Sequence, residues 1–329
     1  MRKIILLSIC LQAFWTTGFS QSPPFKDADV GIRDQYTNLV VHWEASKNPW
    51  PKTLWVYAMT PTKFSPAVIS NLMAVTGYTK KDEKDYGTNG MIFVSPEKSG
   101  NMRISFTEGE IEYWTTLNYG PTNLAQGVPT TNQLFHLTTN FLSKIGIRLS
   151  ELAKDKSGQP KIYFPEASTE YFVNNTTITN IQYRMVRFNR AVDGVEFGGA
   201  GGDGEVDFGE HGQITKIWLH WPSLQRDKSY PTATPKIIAQ WIREGKATIG
   251  PAMDDYGNEM TIDWSKVKSL TIKKATASYS GEVFLGAREH RPIFPSWIRP
   301  SANLWATVEV GTKTFHTGIN CPIIDETKP

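Results

Sequence analysis

Residues 188–224 limit the fold more than any other part of the chain. They read as two β-ribbons back to back, joined by a run too rich in glycine to pack. In the first ribbon, a strand-like run at 181–188 meets residues 195–197 across Val192-Asp193-Gly194. In the second, residues 204–208 meet 214–221 across Glu210-His211-Gly212. Asp-Gly and His-Gly supply positions that tolerate the positive φ of tight hairpin turns. Between the ribbons, Gly198-Gly199-Ala200-Gly201-Gly202-Asp203-Gly204 is expected to be a loop.

Three amphipathic helices flank this centre. Ser65-Pro66 opens the first, with Val68, Ile69, Leu72, Met73 and Val75 on one face and Gly77 at its end. A second starts near Thr130-Thr131 and carries Leu134, Phe135, Leu137, Phe141, Leu142 and Ile145 at helical spacing, with Gly146 closing it. A third starts at Thr234-Pro235, faces inward with Ile237, Ile238, Trp241 and Ile242, and ends at Gly245. Strand patterns follow each helix, at 91–95, 102–107 and 111–117, at 161–164, 171–173 and 181–188, and at 267–280, 302–310 and 314–319. Pro292, Pro295 and Pro300 are expected to break the last connection.

One helix followed by a meander, three times over, implies an α+β fold of two or three repeated units, each one helix packed on an antiparallel β-meander. The boundaries read as 1–20 leader, 21–53 linker and irregular first strands, then units at 54–125, 126–230 and 231–329. The order of elements resembles secreted bacterial proteins with tandem PepSY-like (cystatin-like) units, including extracytoplasmic accessory proteins of two-component sensor kinases. The residues that carry the resemblance are Val192-Asp193-Gly194-Val195-Glu196-Phe197, the run 204–214, the 218–224 strand, the Pro235 helix and the strand regions at 277–281 and 293–310. The resemblance implies a non-catalytic binding or regulatory role. The chain departs from it in its tryptophans, in an insertion at 251–264 and in lacking a membrane anchor.

The N-terminus reads as a secretory signal: Arg2 and Lys3, an apolar run at 4–15, and Gly18-Phe19-Ser20 before a cleavage point. The expected location is secreted or periplasmic, with no transmembrane anchor after cleavage. Removing Arg2 and Lys3 lowers Lys+Arg from 35 to 33 against 32 acids, so the mature chain is close to neutral. That argues against nucleic acid as a partner, since such contacts need many uncompensated cations. Cys10 leaves with the leader, so Cys321 stands alone, without a disulfide and without a multi-cysteine zinc site. Asn174-Asn175-Thr176-Thr177 holds two overlapping glycosylation sequons.

No catalytic signature accompanies these features. Gly-x-Ser-x-Gly, a phosphate-cradling loop before a helix, and His-Glu-x-x-His are all missing. Asp203, Glu205, Asp207 and Glu210 are the oxygen-rich candidates for a metal, although their spacing fails the EF-hand pattern and strand period two places Glu205 and Asp207 on a solvated face. Glu110 and Glu112 share a strand face and could form a glycosidase pair or an acidic sheet edge. Trp218, His220 and Trp221 are the candidate ligand-binding residues. Trp218 and Trp221 point to opposite faces, so one of them is free to meet a ligand. The reading is therefore a cofactor-free binding protein that engages a peptide or protein, by edge-strand addition or in a groove. The alternative is a secreted carbohydrate-binding protein or hydrolase using exposed tryptophan and clustered acids.

Overall fold

The computed structural model describes residues 38–117, 119, 122–173, 176–197, 201–281 and 297–324. Local chemistry sets the three helices where the sequence places them. Ser65 Oγ accepts a hydrogen bond from Val68 N (3.3 Å) at the start of α1 (Pro66–Thr76). Thr130 and Gln133 form a capping box before α2 (Thr131–Lys144). Thr234 Oγ1 accepts from Ile237 N (3.4 Å) ahead of α3 (Pro235–Arg243). Each cap satisfies an N–H that the first helical turn leaves without an internal partner. No helix among the described residues is long and apolar enough to cross a membrane.

Among the described residues the strands form two nine-stranded sheets and one small hairpin. A frame sheet opens with β1 (Val40–Trp43) and β2 (Thr53–Thr60). The chain then builds an inserted sheet from β3 (Glu83–Lys84), β4 (Gly90–Val94), β5 (Asn101–Ser105) and β6 (Glu110–Trp114). It adds β7 (Ile162–Tyr163), β8 (Glu166–Val173) and β9 (Thr176–Asn189) to the same sheet. The hairpin is β10 (Ala191–Val192) with β11 (Val195–Glu196), after which β12 (Asp203–Phe208) and β13 (Ile214–His220) rejoin the inserted sheet. The frame is completed by β14 (Ser223–Pro231), β15 (Thr248–Ile249), β16 (Ala252–Met253) and β17 (Glu259–Met260). Its long strands are β18 (Ser269–Gly281), β19 (Trp297–Val310) and β20 (Lys313–Pro322).

The inserted sheet runs β3-β4-β5-β6-β13-β12-β9-β7, with β8 also on β9. The frame runs β1-β18-β19-β20-β16-β17, with β15 on β20 and the β2–β14 pair joined to β19 through β2. Because Thr60 pairs with Ser223, the whole inserted sheet hangs from the end of one frame hairpin. At that crossing Gly109 has φ +63°, and a Cβ there would lie 2.4 Å from Pro222 Cα, so only glycine fits the turn.

This architecture overturns the expected α+β repeat of one helix on one meander. The molecule is β-dominated, with three α-helices among the described residues and strands shared between two large sheets. Helix and meander do alternate along the chain. Strands that follow different helices nevertheless pair with each other, as β6 does with β13 from Trp114–Lys216 to Glu110–His220. Periodicity identifies an element but not its partner, which burial decides over long separations.

The glycine-rich centre is corrected in the same way. Residues 184–189 of β9 pair with β12 and not with 195–197. The Asp193-Gly194 turn (φ 52° and 76°) instead joins the short strands β10 and β11. The second ribbon forms as read, with positive φ at His211 and Gly212 in its turn. Pro300 lies inside β19 and not in a connection. It occupies the point where β19 changes neighbour, from β2 at 297–298 to β20 from Ser301 onward, so its missing N–H breaks no ladder on that side. The leader at 1–20, the sequon asparagines Asn174 and Asn175, and Pro292 and Pro295 lie outside the described residues.

Each sheet has its own core. Helices α1 and α2 lay Leu72, Leu134, Phe141 and Leu142 against Phe93, Ile104, Val206 and Phe208 of the inserted sheet. Helix α3 lays Ile238, Trp241 and Ile242 against the frame, where Leu270, Leu304 and Ile319 are buried. The β10–β11 hairpin fastens the two. Val195 and Phe197 join the frame core, and Phe197 stacks on Tyr279 (5.7 Å). At the hairpin turn the Tyr57 hydroxyl donates to the Asp193 carboxylate, which also holds Arg226 Nη2 at 2.6 Å.

Candidate binding face

Strand alternation divides the inserted sheet into a helix-covered face and an outer face. Ile111, Tyr113, Val206, Phe208, Ile217 and Leu219 are buried in the core. The residues that alternate with them along each strand therefore point outward. Register then composes a row across five strands: Arg187 of β9, Glu205 of β12, Trp218 of β13, Glu112 of β6 and Arg103 of β5. The adjoining row holds Met185, Asp207, Lys216, Trp114 and Asn101. Trp218 is 38% exposed and its diagonal neighbour Trp114 is 47% exposed. Diagonal residues on paired strands lie within reach of aromatic side chains, about 7 Å apart.

The charges around the tryptophans are tied to one another. Arg103 donates from Nε to Glu112 Oε2 (2.8 Å) and from Nη2 to Glu110 Oε2 (2.6 Å). Glu205 accepts from Arg187 Nε (2.6 Å) on one oxygen and from Lys216 Nζ (2.6 Å) on the other. Burial pushes the Glu205 carboxyl up. The hydrogen bond from Lys216 and the charges of Arg187 and Lys216 outweigh it, so Glu205 lies below its ordinary range.

Its neighbours go the other way. Burial, with the charge of Glu205 beside it, raises Asp207 to about 7. Burial raises Asp203 to about 6, and burial with the Glu112 charge raises Glu110 to about 7. Contrary to the solvated face expected from alternation, Glu205 and Asp207 are 6% and 4% exposed, with Arg187 and Lys216 of the adjacent strands ion-paired to Glu205. Asp207 Oδ1 has no hydrogen-bond partner among the described residues.

The sequence candidates separate in the structure. Trp218 reaches solvent at the centre of its row, whereas Trp221 is 7% exposed and packs in the core, with its indole N–H donating to Glu151 (3.3 Å). His220 sits between Asp203 and Glu110 in register, and burial holds its imidazole below the ordinary value. Asp203, Glu205 and Asp207 share the outer face. Glu210 lies in the β12–β13 turn, accepting from Gln126 N (2.7 Å). Among the described residues no group of three or more His, Cys, Asp or Glu is arranged to hold a metal ion. Cys321 is fully buried, and burial pushes its thiol up to about 12.

Trp114, Arg103, Arg187 and Lys216 complete the face and were not singled out by the sequence. Period two does align Glu110, Glu112 and Trp114. Only the β6–β13 pairing brings them beside Trp218. Two cavities among the described residues lie elsewhere. One of about 360 Å³ borders Thr139, Gly146 and Arg148, and one of about 210 Å³ borders Val75, Leu137 and Phe208. No protein-family model matches the chain, and a search of curated proteins finds no significant match.

Proposed function

We propose that this is a secreted or periplasmic, non-catalytic binding protein, of the regulatory kind that the PepSY-like resemblance implies, and that it engages a protein partner through the outer face of the inserted sheet. The observation that carries this reading is the row Arg187, Glu205, Trp218, Glu112, Arg103, with Trp114 beside its centre. Tryptophan and arginine dominate the centres of protein interfaces, where a rigid aromatic is buried by the partner and surrounding contacts exclude water. Here the arginines are held in place by glutamates before any partner arrives, so little side-chain entropy is lost on docking. The same ion pairs argue against catalysis, since Glu110 and Glu112 share Arg103 on an open face and not across a cleft.

The test places a photoreactive phenylalanine at position 218 or 114 in the secreting cell and compares the crosslinked products with those from Tyr256, a 91% exposed position on the frame. One protein adduct shared by positions 218 and 114 and missing from 256 is the expected result. Identical products from all three positions would remove the reading. So would quenching of Trp218 fluorescence by a neutral oligosaccharide, which would assign the face to glycans.

A further inference from the structure

Edge strands leave a row of unpaired N–H and C=O groups, and proteins blunt them by keeping them short or by adding lysine, proline or bulges. Most edges in this molecule follow that rule. β3, β7, β15 and β17 have two residues each, and β1 has four. β14 is long, but it carries Arg226, Asp227, Lys228 and Pro231 and a register shift between Arg226 and Ser229. Among the described residues β8 is an edge strand that departs from that rule. It has eight residues, Glu-Ala-Ser-Thr-Glu-Tyr-Phe-Val, without lysine, arginine or proline. Among the described residues it pairs on one side only, with β9. Its register shift falls at its start, between Ala167 and Ser168, so the ladder from Ser168–Ile181 to Val173–Thr176 is regular.

We propose that the outer edge of β8 takes up an extended segment of a partner protein as an added strand, one bearing a lysine or arginine opposite Glu170. Main-chain hydrogen bonds supply the affinity in this mode of recognition, and alternate side chains supply the selection. Ser168 and Glu170 are both exposed on this strand, and Glu170 is the one charged residue from 168 to 173. A basic residue directly across from it is favoured, and an acidic one is disfavoured. A second copy of this chain is a poorer occupant, because antiparallel β8–β8 pairing centred near this residue brings two Glu170 carboxylates together. This edge is separate from the Trp218 face, and the experiment below reads it independently.

The probe is a synthetic nine-residue peptide of alternating threonine and valine with a central lysine, added to the full chain and followed by hydrogen exchange. Slowed exchange confined to 168–173 is expected. The same peptide with a central glutamate should bind at least about three-fold more weakly. Glu170→Lys should reverse that order, and N-methylation of alternate peptide amides should abolish binding. Three outcomes would overturn the proposal: no protection of 168–173, equal affinity for the lysine and glutamate peptides, or protection of β8 by concentration-dependent self-association without peptide.

Discussion

The inserted and frame sheets each have nine strands, yet they organise their outer polar residues in opposite ways. On the inserted sheet the groups are charged: Glu205 between Arg187 and Lys216, and Glu110 with Glu112 on Arg103. On the frame, beside exposed ion pairs such as Lys273 with Glu44, a neutral ladder crosses the long strands. Asn303 Nδ2 donates to Ser278 Oγ (2.7 Å), and Asn320 Nδ2 donates to Asn303 Oδ1 (2.9 Å) and to Ser301 Oγ (3.2 Å). Both faces also carry tryptophan, but Trp305 stacks flat on His316 (5.7 Å, 10°) whereas Trp218 stands between glutamates. A neutral ladder is indifferent to pH and salt. A charged row holds its shape only while each carboxylate and its cation keep their protonation, so it can respond to its surroundings.

The most severe way to break the comparison is to part the sheets. Phe197→Ala empties a fully buried site in the frame core next to Tyr279 and should cost about 3–5 kcal/mol in denaturant unfolding. If the hairpin is what couples the sheets, the variant should also unfold in two steps. Glu205→Gln should cost about 2 kcal/mol, less than a fully enclosed pair because Arg187 and Lys216 are 42% and 44% exposed. That loss should shrink in 1 M salt. Asn303→Ala, its neutral counterpart, should cost about 1 kcal/mol with no salt dependence. Equal salt responses in the two variants would erase the contrast.

The smallest expected effect is a gain. Asp207 titrates at about 7 in the fold, above its ordinary value of 3.8, so the native state binds the extra proton between those limits. Stability is then fully present below the ordinary value and declines as pH rises toward 7. Asp207→Asn removes that decline. It should raise Tm by about 2–4 °C at pH 8 and leave it unchanged at pH 4, as read by scanning calorimetry.

What was legible in the sequence was local. Ser65-Pro66, Thr130-Thr131 and Thr234-Pro235 announce their helices because a cap needs only residues within one turn. The His211-Gly212 ribbon was legible for the same reason, as was the opposition of Trp218 and Trp221 across a strand. The first ribbon failed because a positive-φ turn names its position and not the strands it joins, and β9 found β12 instead. The repeat failed because helix-then-strands describes order along the chain, while sheets are built from pairings such as β6 with β13. The binding face was only half legible. Alternation aligned Glu205 with Asp207, but the ion pairs of Glu205 come from Arg187 and Lys216 on strands to either side.

The pairing of Thr60 with Ser223 also sets a schedule. On the ribosome β2 cannot meet β14 until roughly 160 further residues have been made, on the order of 10–30 s at ordinary translation rates. Through that interval the apolar strand Thr-Leu-Trp-Val-Tyr-Ala-Met-Thr has no partner from its own hairpin. The inserted sheet can complete itself meanwhile, and by folding first it draws the two ends of its segment together, leaving β2 and β14 to close as a short hairpin would.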